Sequence, residues 1–494
     1  MESNLPPKEP SSGRDATEVL SFLLMAAHWA GTILSAGALG LLFLRSVLRI
    51  ETYWDSVLYH IPFAAKRAGL GVPYEMTPFH QNLYNGYPPL PEFLQGFLWR
   101  VTGSLHATGC INILALSVFV YYCHRILKAH FPVVAILCLT APLVIIHTAT
   151  TYIDLFGNAF LAIGVTSILA MLLFDRWTDR ALLCWGLAGL TIAAWSKLAL
   201  LPVVVLCFLL YGAVYTRRFL NRGAPQFLFL IFGAVACSSI PYVKNVIEYH
   251  NPVWPIKMPV LSDRFPYALD QVGLKEGPPP LAGLSQPAVF VHSILEIGHP
   301  TEYPNRERWN IDQGNAWIAF RSGGFWNVAV ATALASAVLL GFLFQMRKGW
   351  ILLGALALLW GFVANLPLSH NLRYFLFLPL TMAAIIGMLL PRVRRDYPAV
   401  TLVLFLVFLA NFCWMARVNR IYYRVQRLDY RDVAEYWGKT RWWPRLQQGQ
   451  TYCAVGFDPA AILLTGPTMK EFHIIARTDP SECPPNIRVI TLDY

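Results

Sequence analysis

What this chain most lacks is charge. Only 14% of its 494 residues are Asp, Glu, Lys or Arg, against about one-quarter in ordinary soluble domains. Nine cysteines contain no CxxC pair and no metal-ligand spacing, and seven of them lie in or beside apolar runs, where Cys behaves as a small hydrophobe. No internal repeat and no low-complexity tract is present. No small-residue cleavage site follows the first apolar run, so that run reads as a retained helix and not as a removed signal peptide.

What the chain has instead is apolar length. Hydrophobic residues make up 56%, and the mean hydropathy is +0.47. A spanning helix needs about 20 mostly apolar residues. By that measure about eleven segments qualify, at roughly 18–44, 108–127, 131–149, 156–174, 181–196, 198–215, 225–243, 326–345, 350–367, 372–390 and 398–415. The fold class is therefore an all-α polytopic membrane protein. The net charge of +11 follows from basic residues in short loops, so no nucleic-acid partner is read from it. With residues 1–17 cytoplasmic, the inside loops hold or border Arg125 and Lys128, Arg176 and Arg180, Arg217, Arg218 and Arg222, Arg347 and Lys348, and Arg392, Arg394 and Arg395, as the positive-inside rule expects. Arg417, Arg420, Arg424 and Arg427 run against this asymmetry.

Three larger segments then fall outside. The first, 45–107, carries aromatic amphipathic stretches. The second, 244–325, is rich in Pro, Gly and Asn. The third, 417–494, follows the transmembrane domain at 18–416. It contains strand-like runs at Thr451–Val455, Glu471–Ile475 and Ile487–Thr491, with a helix-like run from Pro459. This alternation predicts a small α/β appendage. Cys453 and Cys483 both lie in it and can pair if the segment is extracytoplasmic.

Two acids sit where acids are expensive. Asp55 follows the first span among aromatics, in Glu51-Thr-Tyr-Trp-Asp55-Ser-Val-Leu-Tyr59-His60. Asp154 lies in the short connection Thr150-Thr-Tyr-Ile-Asp154-Leu. Each has two readings: a helix N-cap, for which Asp is favoured, or chemistry, because an intramembrane carboxylate costs energy that function must justify. Two acids at outer helix ends suit a general base with an orienting partner, or a divalent metal held by oxygen ligands. Lys197, Lys244 and Arg373 recur at the same level. Each alone can snorkel to the headgroups; together they suit a phosphate. Asn251-Pro-Val-Trp-Pro255 and Arg321-Ser-Gly-Gly-Phe325 read as turns.

Taken in order, these pieces resemble the C-type, membrane-embedded glycosyltransferase superfamily, specifically the bacterial relatives of the dolichyl-phosphate-mannose protein mannosyltransferases. The matching motifs are Trp54-Asp55 through Pro62, Tyr87-Pro-Pro-Leu90 with Glu92, Tyr152-Ile-Asp154-Leu155, Ser196-Lys197, Asn245 with Asn251–Pro255, Gly323-Gly-Phe325 and Arg373-Tyr-Phe375. The resemblance runs from about residue 45 to 380 and leaves the tail uncovered. It implies a helical fold with an outside cavity roofed by the first loop. It implies transfer of a hexosyl or pentosyl sugar from a polyprenyl-phosphate donor to a glycan, lipid or protein acceptor at the cell envelope. Asp55 is then the base, Asp154 the supporting or metal-binding group, and Lys197, Lys244 and Arg373 the phosphate site. Tyr59, His60, Tyr87, Glu92 and Asn245 line the cavity. Many members carry an Asp-Glu pair in the first loop, and Ser56 stands in the second place here, which favours a single base over a metal. The alternative class is a transporter or flippase of lipid-linked sugars, which would bind near the bilayer midplane. A third is an inactive scaffold whose tail binds a partner.

Overall fold

The computed structural model describes residues 12–222, 225–257, 264–270, 283–296, 324–456 and 460–492. The N-terminal residues 1–11, residues 321–323 of the Arg321–Phe325 motif and more than half of the predicted outside loop 244–325 lie outside the described residues. Among those described, nine helices are long and apolar enough to cross a membrane: Glu18–Leu48, Leu105–Arg125, Asp154–Phe174, Leu198–Thr216, Gln226–Tyr249, Asn327–Phe344, Met346–Ala364, Leu372–Val393 and Pro398–Val418. The protein is a multi-pass membrane protein.

Two of the predicted spans differ in form. The run at 131–149 makes two short helices, Phe131–Cys138 and Pro142–Thr148, bent by 91°. Pro142 has no N–H to donate and cannot continue the preceding helix. The run at 181–196 makes a single helix, Arg180–Ala194, of 15 residues. It begins where Asp179 accepts from the Leu182 N–H at 3.0 Å, and it stops where Lys197 turns extended.

Burial sorts the spans into two classes. In Leu105–Arg125, Asp154–Phe174 and Leu372–Val393 most residues face other protein, whereas the other spans present apolar side chains outward, among them Phe229, Phe232 and Leu358. Outward apolar faces are stable only against lipid. Small residues set the closest approach: a Cβ on Gly164 would meet Leu190 at 2.5 Å, so glycine lets Asp154–Phe174 and Arg180–Ala194 touch closely.

Beyond the first span the chain makes a π-helical turn, Ser56–His60, and the helices Ile61–Arg67, Pro78–Gly86 and Leu90–Thr102. Buried Glu51 anchors the exit, receiving Arg45 at 3.0 Å and Arg49 at 3.2 Å. The tail does not stand apart from this loop. Its sheet is wholly parallel in the order β1-β3-β2-β4, with β2 Thr451–Val455, β3 His473–Arg477 and β4 Arg488–Thr491 from the tail. Strand β1, Tyr74–Glu75, comes from the first loop and pairs Tyr74 with Ile474. A disulfide joins Cys453 of β2 to Cys483, with Cα atoms 5.9 Å apart. Ile50, Val57 and Ile61 of the first loop share one apolar core with Tyr430, Val433, Ile462 and Leu463 of the tail. The indole N–H of Trp437 donates to the Thr52 carbonyl at 3.1 Å.

Candidate active site

Neither acid caps a helix. Asp55 precedes the π-helical turn with no cap hydrogen bond, and its Oδ2 receives Arg373 Nη1 at 3.0 Å. Its backbone N–H donates to the Tyr152 hydroxyl at 3.2 Å. Asp154 is the first residue of its span, one place past the N-cap residue Ile153, and its Oδ1 receives the Lys197 ammonium. The Asp154 side chain is 1% exposed and that of Lys197 is 18% exposed, so the lysine carries the pair toward open space. Tyr374 joins the two pairs. Its hydroxyl accepts from Arg373 Nη2 at 3.2 Å, and Lys197 Nζ lies 4.2 Å from its ring centroid. Arg373 also sits 5.3 Å from the Tyr152 ring centroid. Two buried negative charges are thus met by two positive ones, the condition under which buried charge is tolerated.

Three polar residues, two in apolar spans and one in a helix of the first loop, hold this arrangement, and the sequence reading did not single them out. Asn112 donates to the Thr150 carbonyl at 2.9 Å and accepts from the Phe156 N–H at 2.9 Å. It therefore clamps the connection carrying Asp154 from both sides. Asn158 accepts from the Phe377 N–H at 2.9 Å and donates to the Asp154 carbonyl at 2.8 Å. It thereby fixes the helix start that carries Arg373 against the one that carries Asp154. Gln95 donates to the Thr151 carbonyl at 2.6 Å. For Asn112 and Asn158 the available signal was a side-chain amide within a span, where unpaired polar groups are costly; Gln95, in the loop helix Leu90–Thr102, carried no such signal.

A cavity of about 240 Å³ opens beside the cluster, lined by Tyr59, His60, Tyr87, Lys197, Lys257 and Tyr374 with apolar neighbours such as Leu198, Pro202 and Leu366. Asp55, Asp154 and Arg373 adjoin it through the lining residues Lys197 and Tyr374. Burial pushes the Tyr59 and Tyr87 phenols above their ordinary range, so both remain neutral hydrogen-bond donors. His60 pairs with Glu92 at 3.2 Å, both nearly inaccessible, and its ring centroid lies 4.3 Å from that of Tyr59 at a tilt of 48°. A second cavity of about 530 Å³ lies between residues 62–81 of the first loop and Ile462 of the tail.

The remaining predicted residues fall elsewhere. Lys244 does not meet the other two cations. It is half exposed, pairs with Glu248 at 3.2 Å and donates to the Asn85 carbonyl at 2.6 Å. Lys257, unmarked in the sequence reading, takes a place in the cavity wall and bonds Asp270 at 2.8 Å. Asn245 is buried and supports the wall from behind, donating to the carbonyls of Gly86 at 2.9 Å and Trp254 at 3.4 Å. A Cβ on Gly86 would meet the Trp254 carbonyl oxygen at 2.3 Å, so only glycine admits the segment that brings Val253 and Ile256 to the cavity. Among the described residues no three His, Cys, Asp or Glu side chains gather as a metal site. Asp55 and Asp154, already neutralised by Arg373 and Lys197, offer a divalent cation no net negative charge, so this pair does not fit the metal reading.

No protein-family profile and no curated protein sequence matches the chain. Solved structures do. The chain is similar to the crystal structure of ArnT from Cupriavidus metallidurans bound to undecaprenyl phosphate, with 14% identity and a TM-score of 0.52 over 88% of this chain and 85% of that one. Similarity to the same protein in the apo state covers 90% and 85%, with 14% identity and a TM-score of 0.51.

Proposed function

Because the chain has the fold of the membrane-embedded, C-type glycosyltransferases, we propose that it is an inverting glycosyltransferase that moves a sugar from a polyprenyl phosphate to an acceptor on the extracytoplasmic side of the membrane. The observation that carries this reading is the convergence of Asp55 with Arg373 and of Asp154 with Lys197 around Tyr374, beside a cavity whose lining combines apolar residues with Lys197 and Lys257. A similar fold has been solved with undecaprenyl phosphate bound. A polyprenyl tail stays in lipid while its phosphate needs cations, and a cavity of this composition meets both needs. The N-terminus lies in the cytoplasm, the tail outside, and a bacterial inner membrane suits this arrangement.

In the proposed reaction the donor phosphate is held by Lys197 and Arg373. Breaking the bond between the anomeric carbon and the phosphate oxygen leaves negative charge on the phosphate, which prepositioned cations stabilise. Arg373 is shared between the incoming phosphate and Asp55. As the phosphate draws it away, the Asp55 carboxylate is freed to take the acceptor hydroxyl proton while that oxygen attacks the opposite face of the sugar. Asp154 keeps Lys197 in place. The polar groups cluster at one end of the spans, with Asp154 and Arg373 in first turns, which favours chemistry at the interface over transport through the midplane.

Asp55→Asn keeps the shape and removes the base. Transfer from a polyprenyl-phosphate sugar to cell-envelope acceptors, followed as release of polyprenyl phosphate, is expected to fall by about 10²-fold or more. Unchanged turnover in that variant would refute the role of Asp55.

A further inference from the structure

The last span, Pro398–Val418, runs into a 3₁₀ turn, Arg420–Tyr423, at the same end of the bundle as the acids. Its two faces are sharply different. Phe412, Met415, Asn419 and Tyr422 are buried, at helical spacing, against the first span. The other face exposes Trp414, Val418, Ile421 and Val425 together with Arg417, Arg420 and Arg424. These three arginines have no acidic partner among the described residues, whereas Arg427, next along, is held by Asp429 at 3.0 Å.

The segment is also stiff. Arg45 at the end of the first span donates to the Ile421 carbonyl at 2.6 Å and lies 5.3 Å from the Tyr422 ring centroid. The Leu428 N–H donates to the Leu48 carbonyl at 3.1 Å, and the Ile50 N–H to the Leu428 carbonyl at 3.0 Å. The cationic face is therefore presented by backbone that is already ordered, so little conformational entropy is lost when it is occupied.

A surface that is apolar and cationic at once, at a span end, is unstable against water alone and against acyl chains alone. It matches the boundary where acyl chains meet anionic headgroups. We infer that Trp414, Arg417, Val418, Arg420, Ile421, Arg424 and Val425 form a binding site for anionic glycerophospholipids of the leaflet on the side of the acids. The arginines contact the phosphodiester, and the apolar residues contact the upper acyl chain. The surface shares no residue with the 240 Å³ cavity, so its occupant is a bilayer lipid held at the rim, outside the cavity proposed for the donor. This accounts for arginines that run against the loop asymmetry: their charge is answered by lipid.

The test is lipid selection by the full-length protein. Purified protein is incubated with equimolar phosphatidylglycerol and phosphatidylcholine of matched chains, and bound lipids are counted by native mass spectrometry. The parent is expected to retain phosphatidylglycerol preferentially, less so as salt is raised. Each of Arg417→Gln, Arg420→Gln and Arg424→Gln should lower the ratio by up to about fivefold, with the triple variant lower still. Arg427→Gln should leave it nearly unchanged, because that guanidinium is already paired. Circular dichroism and gel filtration check that the variants remain folded. An undiminished preference in the folded triple variant, or an equal loss in Arg427→Gln, would overturn the site. Neither readout uses enzymatic activity, so the result stands apart from the proposed reaction.

Discussion

At the scale of single residues, the cost of buried charge decides most of what this site can tolerate. Asp154 is enclosed and its ion-pair partner is Lys197. Removing one member of a buried pair leaves the other uncompensated, at a cost of about 3–5 kcal/mol. Lys197→Met should therefore destabilise the protein by roughly 3 kcal/mol, and Asp154→Asn on top of it should restore part of that loss. Unfolding in a graded denaturing detergent measures the cycle. Strictly additive effects would show that the two side chains do not depend on each other.

His80 gives a second residue-scale test. Burial holds its imidazole down to about 4 from an ordinary 6.5; Thr77 Oγ1 lies 2.9 Å from its Nδ1. A lowered folded-state value means that the unfolded chain binds the proton first. The stabilising contribution is complete above pH 6.5 and is lost as pH falls from there to about 4, by up to about 3 kcal/mol. Thermal unfolding across that window should show a decline that His80→Gln flattens. A parallel decline in the variant would assign the pH dependence to other groups.

At the scale of elements, the tail sheet and the first loop form one unit. Strand β1 belongs to the loop, and Val57, within the π-helical turn that follows Asp55, packs in a core completed by the tail. Removing residues 417–494 is expected to abolish sugar transfer and to open the first loop to trypsin at Lys66 and Arg67. Normal transfer by the truncated chain, with the loop still protected, would show that the loop holds its shape unaided. The local patterns were legible here. Alternation marked the three tail strands within about two residues, and the break at Ser196-Lys197 separates two helices as the residues suggest. Strand β1 was not legible, because two residues carry no periodicity and their partner is about 400 positions away. The bend at 131–149 could have been read from Pro142, but a run of apolar residues gives no sign by itself of whether it is straight.

At the scale of the whole molecule, composition alone selected the solvent. A chain with so few charges and so many long apolar runs can bury its surface only in a bilayer, and its helix count follows from the length a bilayer demands. The sequence also marked Asp55 and Asp154, because a carboxylate at a span end reads either as a helix cap or as a group with a chemical role. Whether either capped a helix, and which cation met which acid, was decided only by the tertiary structure. Asn158 ties the helix start that carries Arg373 to the one that carries Asp154, and Asn112 clamps the Asp154 connection; Lys244, equally suitable by residue type and level, turns to Glu248 instead. Charge pairing acts over a few ångströms, and distances of that size between segments 43 and 318 residues apart are set by helix packing, which spacing along the chain does not encode.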